Sequence, residues 1–270
     1  MNVKLIVCDL DGTLVGEDLA LSPRTCEAVR RTRARGIMVT LATGRAYPSV
    51  AGFARQLGVV APLICYQGAQ IRTVEGGLLY EATLPRQFLP EVIAYCHSGG
   101  WELAVYAGDE IYQTTRLYDD GYYDRWFSLP LHVVDDLLAA LAGDPIKCIA
   151  IGPDRAAADR IERGLRALAG DRFQVMRSHA WFVEGLGAGV SKGEAAARLA
   201  AQLGIGREQV MAIGDNGNDA ALVEWAGLGV AMGNASPDVR AVADVVAPSQ
   251  AEDGAAWAIE RYALDERGIV

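Results

Sequence analysis

Short continuous apolar runs near both ends of the chain are each followed by a stretch with helical spacing. Lys4-Leu5-Ile6-Val7-Cys8 predicts a buried strand, because so short an apolar run bounded by turn residues fits a fully covered strand. Ser22-Pro23 then supplies an N-cap and first-turn pair, and the helix it opens runs toward Gly36. Residues 37–42 read as a second buried strand. Thr43-Gly44-Arg45 leads into a helix ending near Gly58, and residues 62–66 read as a third strand. Later, Ser191-Lys192-Gly193-Glu194 has capping-box spacing and opens a helix ending at Gly204. Residues 209–214 and 229–232 are further strands. This rhythm predicts an α/β fold: a Rossmann-like, mostly parallel sheet with helices on both faces.

The middle of the chain reads differently. Aromatics concentrate there: Trp101, Tyr106, Tyr112, Tyr118, Tyr122, Tyr123, Trp126, Phe127 and Trp181. Helical patterns at 87–96 and 156–168 alternate with strand-like runs at 102–106 and 146–151. We therefore expect residues 1–82 and 187–270 to form one α/β core, divided in sequence by an α+β insertion over 83–186.

Composition narrows the picture. With 51% hydrophobic and 22% charged residues in 270, the chain is a folded globular protein without room for a long disordered tail. The net charge of −9 and the lack of clustered Lys and Arg argue against a nucleic-acid platform. Phosphorylated metabolites remain possible ligands if a metal and local cations offset the repulsion. Cys8, Cys26, Cys65, Cys96 and Cys148 are odd in number and show no CxxC spacing, which fits a reduced, cytoplasmic setting. The opening apolar run is too short for a signal peptide and no stretch approaches a membrane span, so no membrane association is expected.

The chemistry begins where the first strand ends. Asp9 and Asp11 are one residue apart, so strand alternation points both the same way, and Gly12 lets the chain turn. Two carboxylates 4 Å apart repel by about 4 kcal/mol at an effective dielectric of 20. A divalent cation or a retained proton relieves that repulsion. Three more segments fall at strand ends or helix starts, where open α/β sheets gather ligands. They are Thr43 with Gly44, Lys192 at the first turn of its capped helix, and Gly214-Asp215-Asn216-Gly217-Asn218-Asp219. Together they supply a nucleophile, an acid/base, a hydroxyl, a cation and oxygen ligands for a hard metal, so Mg²⁺ is the expected cofactor. No His/Cys cluster competes for zinc; His97, His132 and His179 all lie in the insertion and read as surface or packing residues. The glycine-rich stretch before Lys192 is no Walker A motif, since Ser191 precedes the lysine; it reads as a hinge. Arg45, beside Gly44, reads as a structural or electrostatic helper.

The order DxDxT, TGR, lone Lys, GDxxND resembles the haloacid dehalogenase superfamily of phosphohydrolases. The large insertion, Val230-Ala231-Met232-Gly233-Asn234-Ala235 and Glu252-Asp253-Gly254 are similar to its Cof-type branch. One departure is Gln67-Gly68-Ala69, where that branch commonly carries Asn-Gly-Ala. The resemblance implies that the insertion is a C2-type cap that closes over the site and reads the leaving group. It implies Asp9 as nucleophile, forming an aspartyl-phosphate, and Asp11 as acid and then base. Asp9, Asp11 through its backbone carbonyl, Asp215 and Asp219 form the implied metal set. Thr43, Gly44, Lys192 and Asn218 form the implied phosphate-binding set. A carboxylate at position 11 favours P–O over carbon–halogen cleavage. The implied activity is a Mg²⁺-dependent phosphatase acting on a small phosphorylated metabolite, sugar phosphates first, as a monomer or small homo-oligomer. Two alternatives use similar residues: a phosphotransferase or phosphomutase on sugar phosphates, and a receiver-type phosphoacceptor, which is about half this length and lacks the insertion.

Overall fold

Ser22 starts the first helix by accepting a hydrogen bond on its hydroxyl from the Thr25 amide at 3.0 Å, and Pro23 occupies the first turn. The face this helix buries, Thr25, Ala28, Val29 and Thr32, has the spacing of one helical stripe. The computed structural model describes residues 2–127 and 129–264. In chain order it contains β1 (Leu5–Cys8), α1 (Pro23–Ala34), β2 (Met38–Leu41), α2 (Tyr47–Leu57), β3 (Leu63–Cys65), β4 (Gln70–Arg72) and β5 (Leu78–Glu81). There follow α3 (Leu89–Ser98), β6 (Glu102–Ala107), β7 (Glu110–Gln113), α4 (Asp120–Trp126), β8 (Leu131–Val133), α5 (Leu137–Ala140), β9 (Lys147–Ile151), α6 (Arg155–Ala169), β10 (Gln174–Arg177) and β11 (Phe182–Leu186). The chain continues with α7 (Lys192–Gln202), β12 (Val210–Gly214), α8 (Ala220–Trp225), β13 (Leu228–Ala231), α9 (Pro237–Val242), β14 (Val245–Val246) and α10 (Gly254–Ala258).

Two compact units result: one runs to Tyr80 and resumes at Ser191, the other is Glu81–Val190. In the first unit a five-stranded sheet has the order β14-β13-β12-β1-β2, and every pairing is parallel. Leu5, Val7, Val210 and Ala212 pack one face against Ala196, Leu199 and Leu222 of α7 and α8. β1 is buried on both faces, which is why it reads as an unbroken apolar run.

The third strand is not a full member of this sheet. It meets the sheet through a single parallel bridge, Ile64 with Ala42 just beyond β2, and instead pairs antiparallel with β4. Tyr66, Gln67 and Gly68 have positive φ values of 51°, 62° and 100°, and this left-handed corner folds the chain back on itself.

The Glu81–Val190 unit is a six-stranded sheet in the order β10-β11-β9-β6-β7-β8. On one face Leu103, Val105, Cys148 and Val183 pack against Leu89, Val92, Ile161 and Leu165 from α3 and α6. The alternate positions carry buried polar groups. Lys147 Nζ donates to Glu184 Oε2 at 2.6 Å, and Glu102 accepts from the Tyr123 hydroxyl at 2.5 Å. Among the described residues no helix is long and apolar enough to cross a membrane.

Candidate active site

Sheet register brings the sequence motifs together. Cys8 pairs with both Leu41 and Ile213, so Asp9 and Ala42 leave the sheet beside Gly214, the last residue of β12, at its carboxyl rim. The Asp9 amide donates to Ile213 O at 2.9 Å, and the Ala42 amide to Cys8 O at 2.8 Å. Gly12 turns the chain with a φ of +84°, and a Cβ there would lie 2.3 Å from Asp215 Oδ2. Only glycine meets both demands. Beside it the Thr13 hydroxyl donates to Asp215 Oδ1 at 3.1 Å, and Asn234 Nδ2 donates to Gly12 O at 2.9 Å.

Lys192 sits at the first turn of α7 because Ser191 caps that helix, its hydroxyl accepting from the Glu194 amide at 3.1 Å. The ammonium donates to Asp9 Oδ1 at 2.5 Å and to Asp219 Oδ1 at 2.6 Å. All three side chains are buried. Burial pulls the Lys192 ammonium toward neutrality, but Asp219 and Asp9 outweigh it and hold it above the ordinary lysine range. Asp219 Oδ2 accepts from the Asp215 and Asn216 amides, each at 3.0 Å, so both its oxygens are engaged by protein groups.

One cation does not balance the carboxylates. Burial and then the charge of Asp219 push the Asp9 carboxyl well above its usual range, against the pull of Lys192. The same two causes, in the same order, push Asp215 up to about 6. Oxygens of Asp9, Asp215 and Asp219 lie within 4.8 Å of one another. An all-oxygen set with surplus negative charge fits a hard divalent cation. Asp9 and Asp215 are the better direct ligands, since Asp219 already serves Lys192 and two amides.

A second group surrounds Thr43. Its amide donates to Ile64 O at 2.9 Å, and its hydroxyl oxygen accepts from the Arg45 amide at 3.2 Å. A Cβ at Gly44 would lie 2.4 Å from Gln67 Nε2. Gln67 is buried, and its Oε1 accepts from Asn218 Nδ2 at 2.8 Å. Asn218 Oδ1 is buried without a hydrogen-bond partner among the described residues, leaving one acceptor for a ligand. Asp11 stands apart from the buried carboxylates: it is exposed, and both its oxygens accept from the Arg45 guanidinium, at 2.6 and 2.8 Å.

Asp9, Thr43, Gly44, Lys192, Asp215, Asn218 and Asp219 therefore share one rim, with Asp11 held beside it by Arg45. Sequence reasoning gave Arg45 only a helper's place and assigned no role to Thr13, Gln67 or Asn234. The departure Gln67-Gly68-Ala69 was the one signal at Gln67. In the other unit, His132 Nε2 lies 3.5 Å from Glu110, and His179 packs against the Trp181 and Phe182 rings.

Comparison with known proteins bears on this geometry. The family model for haloacid dehalogenase-like hydrolases matches residues 6–259. Phosphatase YwpJ of Bacillus subtilis (strain 168) is 30% identical over 278 residues, spanning 94% of this chain and 98% of that protein. The 5-amino-6-(5-phospho-D-ribitylamino)uracil phosphatase YcsE of the same organism is 27% identical over 270 residues, spanning 98% and 97%. The chain spans only 46% of one longer relative, the Arabidopsis thaliana Endoribonuclease YBEY, chloroplastic, at 29% identity over 275 residues. Among solved structures, a haloacid dehalogenase-like hydrolase from Bacteroides thetaiotaomicron superposes with a TM-score of 0.83 at 32% identity, covering 96% of this chain and 99% of that one.

Proposed function

We propose that this chain, a phosphatase that belongs to the haloacid dehalogenase-like hydrolase family, hydrolyses small phosphorylated metabolites with Mg²⁺ as cofactor and Asp9 as nucleophile. What carries this reading is the buried Asp9 carboxylate, ion-paired to Lys192 at 2.5 Å, beside a second carboxylate, Asp215, with surplus charge. A buried carboxylate paired with a lysine would be a competent nucleophile once a bound divalent cation offsets the neighbouring carboxylates that favour its protonated form.

In the first half-reaction an Asp9 oxygen bonds to phosphorus and the P–O bond to the leaving group breaks. Asp11 gives its proton to the departing alkoxide oxygen. In the second, water attacks the aspartyl-phosphate, Asp11 takes the water's proton, and phosphate leaves with Asp9 restored. Thr43 accepts from the Arg45 amide, so its own O–H is free to donate to a phosphoryl oxygen. Lys192 and the N-terminal turn of α7 offset charge on the transferring group. Asn218, oriented by Gln67, offers its orphan oxygen to a hydroxyl or bound water. Bound Mg²⁺ would be held by Asp9, Asp215 and the Asp11 backbone carbonyl, with Asp219 behind them, and would neutralise charge on the phosphoryl oxygens.

Sugar phosphates are the favoured substrates. The relative YcsE is named for a phosphorylated ribityl compound, which is likewise a phosphate ester of a polyol carbon. Choice of leaving group is assigned to the Glu81–Val190 unit, as the size of the insertion and the resemblance to the Cof-type branch imply. The scattered free cysteines fit a reduced, cytoplasmic setting.

The test is a panel of sugar phosphates, polyol phosphates, nucleotides, phosphorylated vitamins and an aryl phosphate, each with Mg²⁺ and with EDTA. We expect free phosphate from at least one sugar or polyol phosphate, lost in EDTA and in Asp9→Asn. Phosphate release by Asp9→Asn at the parent's rate overturns the assignment.

A further inference from the structure

The site contains a second cation whose partner is the wrong one for a resting electrostatic bond. Lys192 is committed to two buried carboxylates and cannot leave them without stranding both charges. Arg45 is different. Its Nε and Nη2 form a fork on the two oxygens of Asp11 at 2.8 and 2.6 Å, and the side chains are 28% and 46% exposed. The pair is open to water on both sides, so another anion can reach the guanidinium and exchange with Asp11. Its backbone is fixed: the amide donates to Thr43 Oγ1 at 3.2 Å and the carbonyl accepts from the Tyr66 amide at 3.0 Å. The fork therefore moves on a rigid base next to the hydroxyl that faces the phosphoryl group, and Arg45 also senses the charge of Asp9.

Asp11, meanwhile, is in a position that does not suit its first task. With both oxygens engaged by one guanidinium, neither is available to a leaving oxygen. Something has to take the fork away. A phosphate ester brings oxygens that match guanidinium geometry as well as a carboxylate does, with more charge.

We propose that Arg45 is a further substrate-binding residue: its fork passes from the Asp11 carboxylate to the phosphoryl oxygens of the incoming ester and so releases Asp11 toward the leaving oxygen. This rests on the phosphatase reading given above. The exchange couples binding to activation, because Asp11 is released only when a phosphate ester is present to take its place.

The experiment measures binding of inorganic phosphate, by calorimetry with Mg²⁺, to the full chain and to Arg45→Gln, Arg45→Lys, Asp11→Asn and the Arg45→Gln/Asp11→Asn double variant. Steady-state KM and kcat are measured on the same proteins where they turn over. Arg45→Gln should weaken phosphate binding by at least about tenfold, the worth of one charge-assisted contact, and raise KM. Arg45→Lys keeps the charge without the fork and should recover part of the affinity, which shows that the loss is not one of folding. Asp11→Asn frees the fork, so it should tighten phosphate binding, and by less when Arg45 is already gone. The proposal is overturned if Arg45→Gln binds phosphate as the parent does, or if Asp11→Asn has the same effect with and without Arg45. Failure of the phosphatase reading looks different: the parent itself then neither binds phosphate nor releases it from any ester.

Discussion

Lys192 and Asp9 are 183 residues apart in sequence, yet the ammonium and Asp9 Oδ1 meet at 2.5 Å with both side chains out of water. The same ammonium reaches Asp219 Oδ1 at 2.6 Å, so one lysine ties the first strand to the loop after β12. Breaking a buried pair by deleting one partner costs about 3–5 kcal/mol, because the other charge is left uncompensated. Lys192→Met should therefore lose about that much stability in denaturant unfolding near neutral pH in EDTA, and should lose turnover as well. The loss should shrink under acid conditions, where the stranded carboxylates take up protons. Parent-like stability at neutral pH would show that the lysine is dispensable to the fold.

The carboxylates impose a pH dependence whose sign is fixed. Asp215 is pushed up to about 6 in the folded protein from the ordinary value of 3.8, and Asp9 moves in the same direction. Between those limits the folded state holds more protons than the unfolded one, so stability falls as pH rises through the window. In EDTA, Asp215→Asn should accordingly gain stability relative to the parent as the pH is raised from about 4 to about 7. Mg²⁺ should reverse the order near neutrality, because it binds the folded parent and compensates the same charge. Thermal melts of both proteins across pH, with and without Mg²⁺, check this; parallel pH curves for the two in EDTA would contradict it.

Gly44 and Gln67 should behave as one unit. An alanine Cβ at position 44 would meet Gln67 Nε2 at 2.4 Å, and that amide orients Asn218. The colliding atom is the end of a side chain, so Gly44→Ala should change stability by less than about 1 kcal/mol while raising KM. Adding Gly44→Ala to Gln67→Ala should then do little more than Gln67→Ala alone. Fully additive effects on KM would place the role of Gly44 elsewhere.

How legible all this was in the sequence depends on the range of the interactions. β1, β2, β12 and β13 announce themselves because parallel strands covered on both faces must be continuously apolar. Ser22 and Ser191 announce their helices because a cap acts within three residues. The pairing of the 62–66 segment was not legible: its antiparallel partner is chosen by the left-handed corner at Tyr66-Gln67-Gly68, and two of those three residues are not glycine. The Arg45–Asp11 fork and the Gln67–Asn218 bond span 34 and 151 residues, and no local pattern encodes a partner at such distances. The insertion was legible only as α+β. Glu102, Lys147 and Glu184 look like surface positions of alternating strands, and they are buried only because they find partners.

The central claim is that the phosphoryl group passes onto Asp9, and it is tested most directly in Asp11→Asn with an aryl phosphate and Mg²⁺. An aryl leaving group needs no proton, so the first half-reaction proceeds without Asp11, while hydrolysis of the intermediate lacks its base. Rapid acid quenching and peptide mapping should find a burst of aryl alcohol matched by phosphoryl label on the peptide that carries Asp9. A parent enzyme that turns the ester over, with a variant that shows neither burst nor label at Asp9, would contradict the account.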